Sequence, residues 1–504
     1  MAFPIVIYLF ITLISWHVWS QITSRRLPPG PIPLPLIGNI HQLWSPAPWK
    51  VIQVWHKQYG PIITIRLGPI PIICIGSHDV VRDLYEKRGR IYSSRPRMIF
   101  LNECMFEGHF PAAQPDGPYL RILHRLQYAV LNKNATDSYR CVQDLESKQV
   151  LHDLLLNPEN FKTHFERYAS SITYLLLFGK RIVHPDASEK QEVDRFLRLF
   201  VGANGLSDSL LDIFPFLNSL PGPFAPWKAT GKKVNQEMKR IISTSLEQRR
   251  GWNWSEEIMH RQETSNLPPG GLQCLLLELY LASSMTTYII LQFLIKACAV
   301  HSEALKQMQT EIDTVVGDQR LPTFDDEKNL PYLKGFINEV LRYYPLVTIG
   351  VPRTTTQPDE YMGYRIPKGS IVVANNWGLD RDEELHDRPD EFRPERWIEK
   401  PGPRVTVFGF GRRACSGEHL GRASLFIVLA RCLWGYDIIP RPNLDNTQQP
   451  ESGNAVFSVP VVNAEFRLRS PERREIMERE WLVAEKDEGK IMTDLEASVS
   501  RRPA

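Results

Sequence analysis

Apolar and polar positions divide the chain into stretches of different character. From Met1 to Ser24 there is no charged side chain, and Phe3 to Ile22 is mostly apolar, with Trp16 and Trp19 near its end. A bilayer-spanning helix needs about 20 apolar residues, so this run predicts a membrane anchor. Arg25 and Arg26 follow at once. Positive flanks stay cytosolic, which puts the rest of the chain in the cytosol. A cleaved signal peptide fits less well, because the charges follow the apolar run and no small-residue cleavage site comes after it.

Leu27 to Asn39 reads Leu-Pro-Pro-Gly-Pro-Ile-Pro-Leu-Pro-Leu-Ile-Gly-Asn. Proline at this density forbids helix and predicts an extended, stiff spacer. Ile62–Leu67 and Ile70–Ile75 read as short strands joined by a Gly68-Pro69 turn. Helical periodicity dominates from about Asp137 to Arg342, and strand-like pieces return at Val351–Thr356 and Ser370–Ala374. Leu272 to Val300 is apolar nearly all round. Its uncharged part, Leu279–Ile295, is short for a membrane span and carries hydroxyls at its centre. A helix buried in a large core explains it better, and mid-helix hydroxyls there mark a site. The tail from Pro471 is highly charged and reads as a solvated helix or a partly disordered segment. The predicted organisation is an anchor over 1–24, a basic and proline-rich hinge over 25–39, a body over 40–470 and a charged tail over 471–504.

Composition changes this picture in two ways. A net charge of +3, with no basic run, argues against nucleic acid as a partner. Seven scattered cysteines, none in a C-x-x-C pair, suggest neither a disulfide framework nor a zinc site and fit a reducing compartment. One cysteine has unusual flanks. Phe408-Gly-Phe-Gly-Arg-Arg-Ala-Cys415-Ser-Gly417 is glycine-rich, which allows close approach to a flat ligand. Arg413 could pair with an anionic group on that ligand. Glu418 to Trp434 reads as an apolar helix, so Cys415 precedes a helix N-terminus, where a thiolate is stabilised. Two other readings compete. Gly409 to Ala414 fits the loose dinucleotide pattern G-x-G-x-x-A after a possible strand at Val405–Phe408. A plain buried cysteine is the other. Neither accounts for all ten residues.

The whole stretch resembles the haem-binding signature F-x-x-G-x-R-x-C-x-G of the cytochrome P-450 family, met at Phe408, Gly411, Arg413, Cys415 and Gly417. Glu339-Val-Leu-Arg342 is similar to the family's E-x-x-R, and Pro394-Glu-Arg396-Trp to its P-E-R-F/W. The resemblance runs from the anchor to about Arg469. It implies a mainly α fold with small β-sheets, preceded by one transmembrane helix. It also implies haem b with Cys415 as axial thiolate ligand, Phe408 near the sulfur, and Arg413 on a haem propionate. Glu339, Arg342 and Arg396 would form a buried structural triad. Arg353 matches a usual propionate position and Arg95 is a second. The family's W-R-x-x-R falls on Leu120-Arg121-Ile-Leu-His124, so Arg121 and His124, or the adjacent Arg125, are expected near the cofactor.

The family's oxygen-activating motif falls on Ala282-Ser283-Ser-Met285-Thr286-Thr. The resemblance makes Thr286 catalytic, although a mid-helix threonine can also bond only to its own backbone. The usual acid is replaced by Met285, which relays no protons, so Ser283, water or a polar substrate group is expected to complete the relay. The implied activity is insertion of one oxygen atom from O2 into a small, largely apolar substrate. The chain is similar to fungal enzymes of secondary-metabolite biosynthesis through Leu321–Asp326 and Pro358–Tyr361. Without the acid, desaturation, rearrangement or dehydration stays open. A nicotinamide-dependent dehydrogenase and a non-catalytic haem protein are remoter readings. Expected partners are NADPH–cytochrome P-450 reductase, docking near Arg412, Arg422 and Arg431, and the endoplasmic reticulum membrane, crossed once. Substrate walls are expected at Arg97–Phe110, Phe200–Phe216, Leu346–Gly350 and Ala455–Phe457.

Overall fold

The computed structural model describes residues 26–68, 70–203, 211–400, 402–441 and 462–500. The expected anchor therefore lies outside the described residues. The longer helices are α1 (Pro48–Tyr59), α2 (Pro118–Leu131), α3 (Arg140–Leu156), α4 (Phe161–Phe178), α5 (Ser188–Ala203), α6 (Pro226–Glu247), α7 (Gly271–Val300), α8 (Ser302–Val315), α9 (Pro331–Tyr343), α10 (Glu418–Gly435), α11 (Pro471–Val483) and α12 (Glu488–Ser500). The strands are β1 (Ile62–Leu67), β2 (Ile70–Ile75), β3 (Arg353–Thr354), β4 (Asp359–Tyr361), β5 (Tyr364–Ile366), β6 (Ile371–Ala374), β7 (Tyr436–Pro440) and β8 (Ala464–Leu468). One sheet has the order β1-β2-β6-β3, with β2 and β6 parallel and the other pairs antiparallel. Two hairpin sheets, β4-β5 and β7-β8, complete the β content.

The expected mainly helical fold with small sheets is what forms, and β1 and β2 have the expected limits. Helix α7 runs through the core, packed along α4 and also against α6 and α10. It is apolar enough to cross a membrane but lies inside the protein. Lys296, which bounds its uncharged run, is itself buried with its ammonium 5.7 Å from the centre of the Tyr344 ring. The central hydroxyls answer to their own helix. Ser284 Oγ donates to the Tyr280 carbonyl at 2.7 Å and Thr286 Oγ1 to the Ala282 carbonyl at 2.6 Å.

Two segments differ from expectation. The proline-rich stretch is not a free spacer but lies along β1. Thr64 N–H donates to Pro29 O, and Asn39 Oδ1 accepts from Arg66 N–H at 2.8 Å. Glycine is needed at 30, where a Cβ would sit 2.0 Å from the Thr64 carbonyl oxygen. The tail forms two helices that are mostly exposed, as expected of a solvated helix, but each adds a buried face. Helices α11 and α12 bury Arg473, Ile476, Met477, Ile491, Met492 and Leu495, and α11 packs on α3. Arg473 binds Asp313, as does Arg469 just ahead of the tail.

The expected structural triad forms at the end of α9. Arg342 binds Glu339 through two hydrogen bonds of 2.7 and 2.9 Å, and Arg396 Nε adds a third at 3.1 Å. Trp397 Nε1 and the Arg393 backbone N–H also donate to the same carboxylate. Burial pushes Glu339 up, but these donors and the two guanidinium charges hold it below the usual carboxylate range. The remaining Arg342 donors bind the carbonyls of Asp380, Pro389 and Glu391, which ties α9 to the segment before the cysteine loop. Removing the carboxylate would strand a fully buried Arg342. Glu339→Ala should cost about 3–5 kcal/mol, read as a loss of denaturation midpoint together with haem content. A variant of unchanged stability would show that the triad does not hold the fold.

Candidate active site

The cysteine loop is shaped by its backbone. Thr406–Phe408 is one 3-10 turn, pinned by the Thr406 hydroxyl donating to buried Asp380 at 2.7 Å. This replaces the strand that the dinucleotide reading needs before its glycines. The Cys415 N–H returns to the Phe408 carbonyl at 2.8 Å and closes the loop. Gly411 has φ +54°, and a Cβ there would lie 2.1 Å from the Tyr85 carbonyl oxygen. Only glycine lets the loop pass so close. Cys415 then sits just ahead of α10, whose N-cap is Gly417. Its side chain is exposed and lines a cavity. Burial pushes the thiol up, opposed by the Gly417 backbone N–H.

The cavity has a volume of about 380 Å³. The cysteine loop and the start of α10 form one wall and α7, with α2 and α4, the other. Ala282, Ser283, Thr286 and Thr287 line it, whereas Met285 packs into the core beside it. Phe408 and Gly417 line it next to Cys415, and the Arg422 guanidinium stacks over Phe408 at 4.6 Å. A Cβ on Gly417 would lie 3.9 Å from Cys415 Sγ.

Arg95, Arg353 and Arg413 gather at one side. Arg95 donates to the carbonyls of Ala112, Val351 and Pro352, and Arg413 to those of Ser93 and Gln114. Arg353 donates through Nη2 to Phe410 O and stacks 3.8 Å over Tyr85, but its buried Nη1 has no partner. No carboxylate lies within 4 Å of any of the three among the described residues. Burial, and then mutual repulsion, pull Arg95 down to about 9 and Arg413 down to about 10. A desolvated cluster of cations calls for anions. A flat ligand with two carboxylates beside a single cysteine fits this donor set. Among the described residues no three His, Cys, Asp or Glu side chains converge to hold a bare metal, so an iron here would arrive with its other ligands.

His124 lines the cavity, and its pKa is pushed down first by burial and then by the Arg413 and Arg412 charges. Arg121, one turn earlier on α2, is exposed and does not line the cavity, which corrects its expected place at the cofactor. Arg125 likewise faces outward and pairs with Glu263. Arg431 is buried against Asp144 and Ser147, so it cannot serve a docking surface. The expected walls shift slightly: Pro111, Ala112 and Val351 line the cavity, just past 97–110 and 346–350. Ala455–Phe457 lies outside the described residues. One lining residue escaped sequence reasoning. Glu278, just before the uncharged run Leu279–Ile295, lines the cavity and accepts from Gln127 Nε2 at 2.8 Å. Its i, i+4, i+8 spacing with Ala282 and Thr286 was the available signal.

Comparison with known proteins agrees with this geometry. The family described as Cytochrome P450 matches residues 28–466. The chain is 36% identical over 492 residues to the cytochrome P450 monooxygenase aneD of Aspergillus aculeatus, covering 95% of this chain and 96% of that protein. It is 37% identical over 471 residues to the cytochrome P450 monooxygenase drtD of Aspergillus calidoustus, covering 92% and 90%. It is 37% identical over 483 residues to the cytochrome P450 monooxygenase FrzL of a Cladobotryum species, covering 94% and 93%.

The close pass at Gly411 yields a direct test. Gly411→Ala forces a side chain into the left-handed region and against the Tyr85 carbonyl. The strain, of order 1–3 kcal/mol, should shift the loop and lower haem bound per polypeptide more than it lowers the melting temperature. Full haem occupancy in this variant would mean that the close pass does not set the loop.

Proposed function

This chain belongs to the cytochrome P450 family and is a haem-dependent monooxygenase, and from that premise we propose that it oxidises a small, largely apolar metabolite of fungal secondary metabolism. The observation that carries the site assignment is Cys415 opening onto a cavity lined by Arg95 and Arg413, with buried Arg353 close enough to repel them. Members of the family bind haem b through a cysteine thiolate, and when bound it supplies the activation of molecular oxygen.

In this reading Cys415 holds the iron and Arg95, Arg353 and Arg413 hold the propionates. His124 contributes an N–H where the family has an arginine. Phe408, with Arg422 stacked on it, shields the sulfur from water. Gly411 and Gly417 keep the loop bare. On the opposite wall, Thr286 and Ser283 handle protons. The Thr286 hydrogen is engaged by the Ala282 carbonyl at 2.6 Å, so its free lone pairs accept from the cavity. To donate, the hydroxyl must rotate away from its helix. Ser283, one turn back, faces the same space and can pass a proton to Thr286 without the missing acid.

A redox partner must deliver electrons, and we assign that role to a membrane-bound NADPH–cytochrome P450 reductase. Arg412 stays exposed beside the cysteine loop and can meet it. Endoplasmic reticulum attachment through residues 1–24 is also part of this reading. Its support is a set of exposed large apolar side chains, Ile32, Leu34, Leu36, Ile37 and Trp44 just after residues 1–24 and Phe216, Leu220 and Phe224 further along. The two segments come near each other at Gly68, where an added Cβ would meet both the Leu36 carbonyl oxygen and the Ile213 and Phe214 side chains.

Two experiments test the reading. The carbonyl complex of the reduced wild-type protein should show the red-shifted Soret band of thiolate ligation, and Cys415→Ala should lose it; retention would place the ligand elsewhere. Thr286→Ala should release several-fold more peroxide per NADPH consumed with reductase, with Ser283→Ala giving a smaller effect in the same direction. Unchanged coupling in both would remove these hydroxyls from proton delivery.

A further inference from the structure

Asp380 takes no part in the chemistry proposed above, yet its carboxylate reaches the cysteine loop. It follows a short helix, Asn376–Leu379, in the segment that precedes that loop. Asp380 and Thr406 are both almost wholly buried. The Asp380 backbone is fixed on either side: Arg342 Nη1 donates to its carbonyl at 2.8 Å, and its N–H donates to the Asn376 carbonyl at 2.9 Å. Its side chain serves a different partner. Asp380 Oδ2 accepts from the Thr406 hydroxyl at 2.7 Å.

A carboxylate in such a place is costly. The cations whose charge reaches it are paired elsewhere, Arg342 with Glu339 at 2.7 Å and Arg381 with Asp390 at 3.4 Å. Burial pushes its pKa up to about 7, and the Thr406 hydroxyl is the first group opposing that rise, ahead of the Arg342 and Arg381 charges. A small neutral side chain would pack here without this cost, so packing does not explain the acid.

Thr406 is the place from which a hydrogen bond can act on the sulfur. It opens the 3-10 turn Thr406–Phe408, and neither Val407 nor Phe408 has a hydrogen-bonding side chain. The Gly409 N–H closes the turn on the Thr406 carbonyl at 2.8 Å, and the Cys415 N–H binds the Phe408 carbonyl at 2.8 Å. The far side of the loop has its own tie, from Arg353 Nη2 to the Phe410 carbonyl at 2.8 Å. A shift at Thr406 therefore carries the Phe408 carbonyl with it, and with that carbonyl the backbone of Cys415.

We propose that Asp380 is a positioning residue for the Cys415 sulfur: through the Thr406 hydroxyl it fixes the turn from which the cysteine backbone hangs. An ionised carboxylate only accepts, so Thr406 must donate, and the bond is charge-assisted. Glu339 stiffens the surrounding fold, whereas Asp380 acts on one turn. The inference rests on Cys415 being the haem ligand, as argued above.

The test is the carbonyl spectrum of the reduced, haem-loaded protein. A sulfur held on the iron gives the red-shifted Soret band, and a displaced one gives an unshifted band. Thr406→Val keeps the side-chain shape and drops the donor. At equal bound haem it should raise the ratio of unshifted to red-shifted absorbance at least roughly tenfold. Thr406→Ser, which keeps the hydroxyl, should stay within about twofold of wild type. Asp380→Ala removes the acceptor and should match the valine variant; it decides the question if that variant fails to hold haem. The double variant should lie within about twofold of the worse single one, because both remove the same bond. A wild-type ratio in Thr406→Val or Asp380→Ala overturns the proposal, whatever happens to the melting temperature. So does a serine variant as displaced as the valine one, since side-chain shape would then set the turn. Effects that multiply in the double variant overturn it too. Loss of fold or haem in both single variants makes Asp380 a strut like Glu339 and overturns it as well. A wild type lacking the red-shifted band would sink the functional reading itself, whereas a normal wild-type band with indifferent variants sinks only this tether.

Discussion

Positive charge withdrawn from water without an anion beside it is the constraint around which this site is organised. Arg95, Arg353 and Arg413 come from three distant parts of the chain, and backbone carbonyls satisfy most of their donors. Carbonyls provide hydrogen bonds but no net negative charge, and the guanidinium groups still depress one another. In the proposed reading the same corner receives the two haem carboxylates; binding them would remove the repulsion and so link cofactor loading to stability. The cysteine loop inherits its position from this corner: Arg353 holds Phe410, Arg413 reaches back to Ser93, and Gly411 slides under Tyr85.

The opposite wall shows how an apolar helix becomes a reactive surface. Helix α7 is hydrophobic nearly all round because nearly all of it is buried. Only the face carrying Glu278, Ala282, Ser283 and Thr286 meets open space. The position that the family gives to an acid is Met285, and its side chain turns into the core. The substitution therefore removes a charge next to the cavity without leaving a polar gap, and polarity on this face shifts to Ser283 and Glu278. A residue change that looks like a lost function in sequence is, in space, a redistribution of polar groups along one helix face.

What was legible in the sequence was local. The cysteine loop could be read because its residues are consecutive and each meets a short-range demand: glycine for a left-handed turn, arginine for an anion, cysteine for iron. Strands β1 and β2 were legible for the same reason, with two β-rich runs separated by a turn. Partnerships across the chain were not. Arg431 looked like a surface charge, but Asp144 and Ser147 bury it from 287 and 284 residues away. The buried face of the tail was not legible either: its Arg473 binds Asp313 across 160 residues, as Arg469 just ahead of the tail does across 156. Arg121 was placed at the cofactor by motif position, yet the exposed side of α2 carries it outward.

The two acids Glu339 and Glu278 show why burial by itself does not reveal purpose. Both are glutamates on long helices, and both are removed from bulk water. Glu339 meets five donors, two of its partners being cations, so its charge is neutralised and its carboxylate has nothing left to offer. Such a group is a strut: it adds rigidity between α9 and the segment before the cysteine loop. Glu278 accepts one hydrogen bond, from Gln127 Nε2, has no adjacent cation and lines the cavity. Desolvation that is only partly compensated is costly for stability. A fold that only needed to pack α7 would do better with leucine at this position, so the acid belongs to the cavity wall and not to the packing of the core.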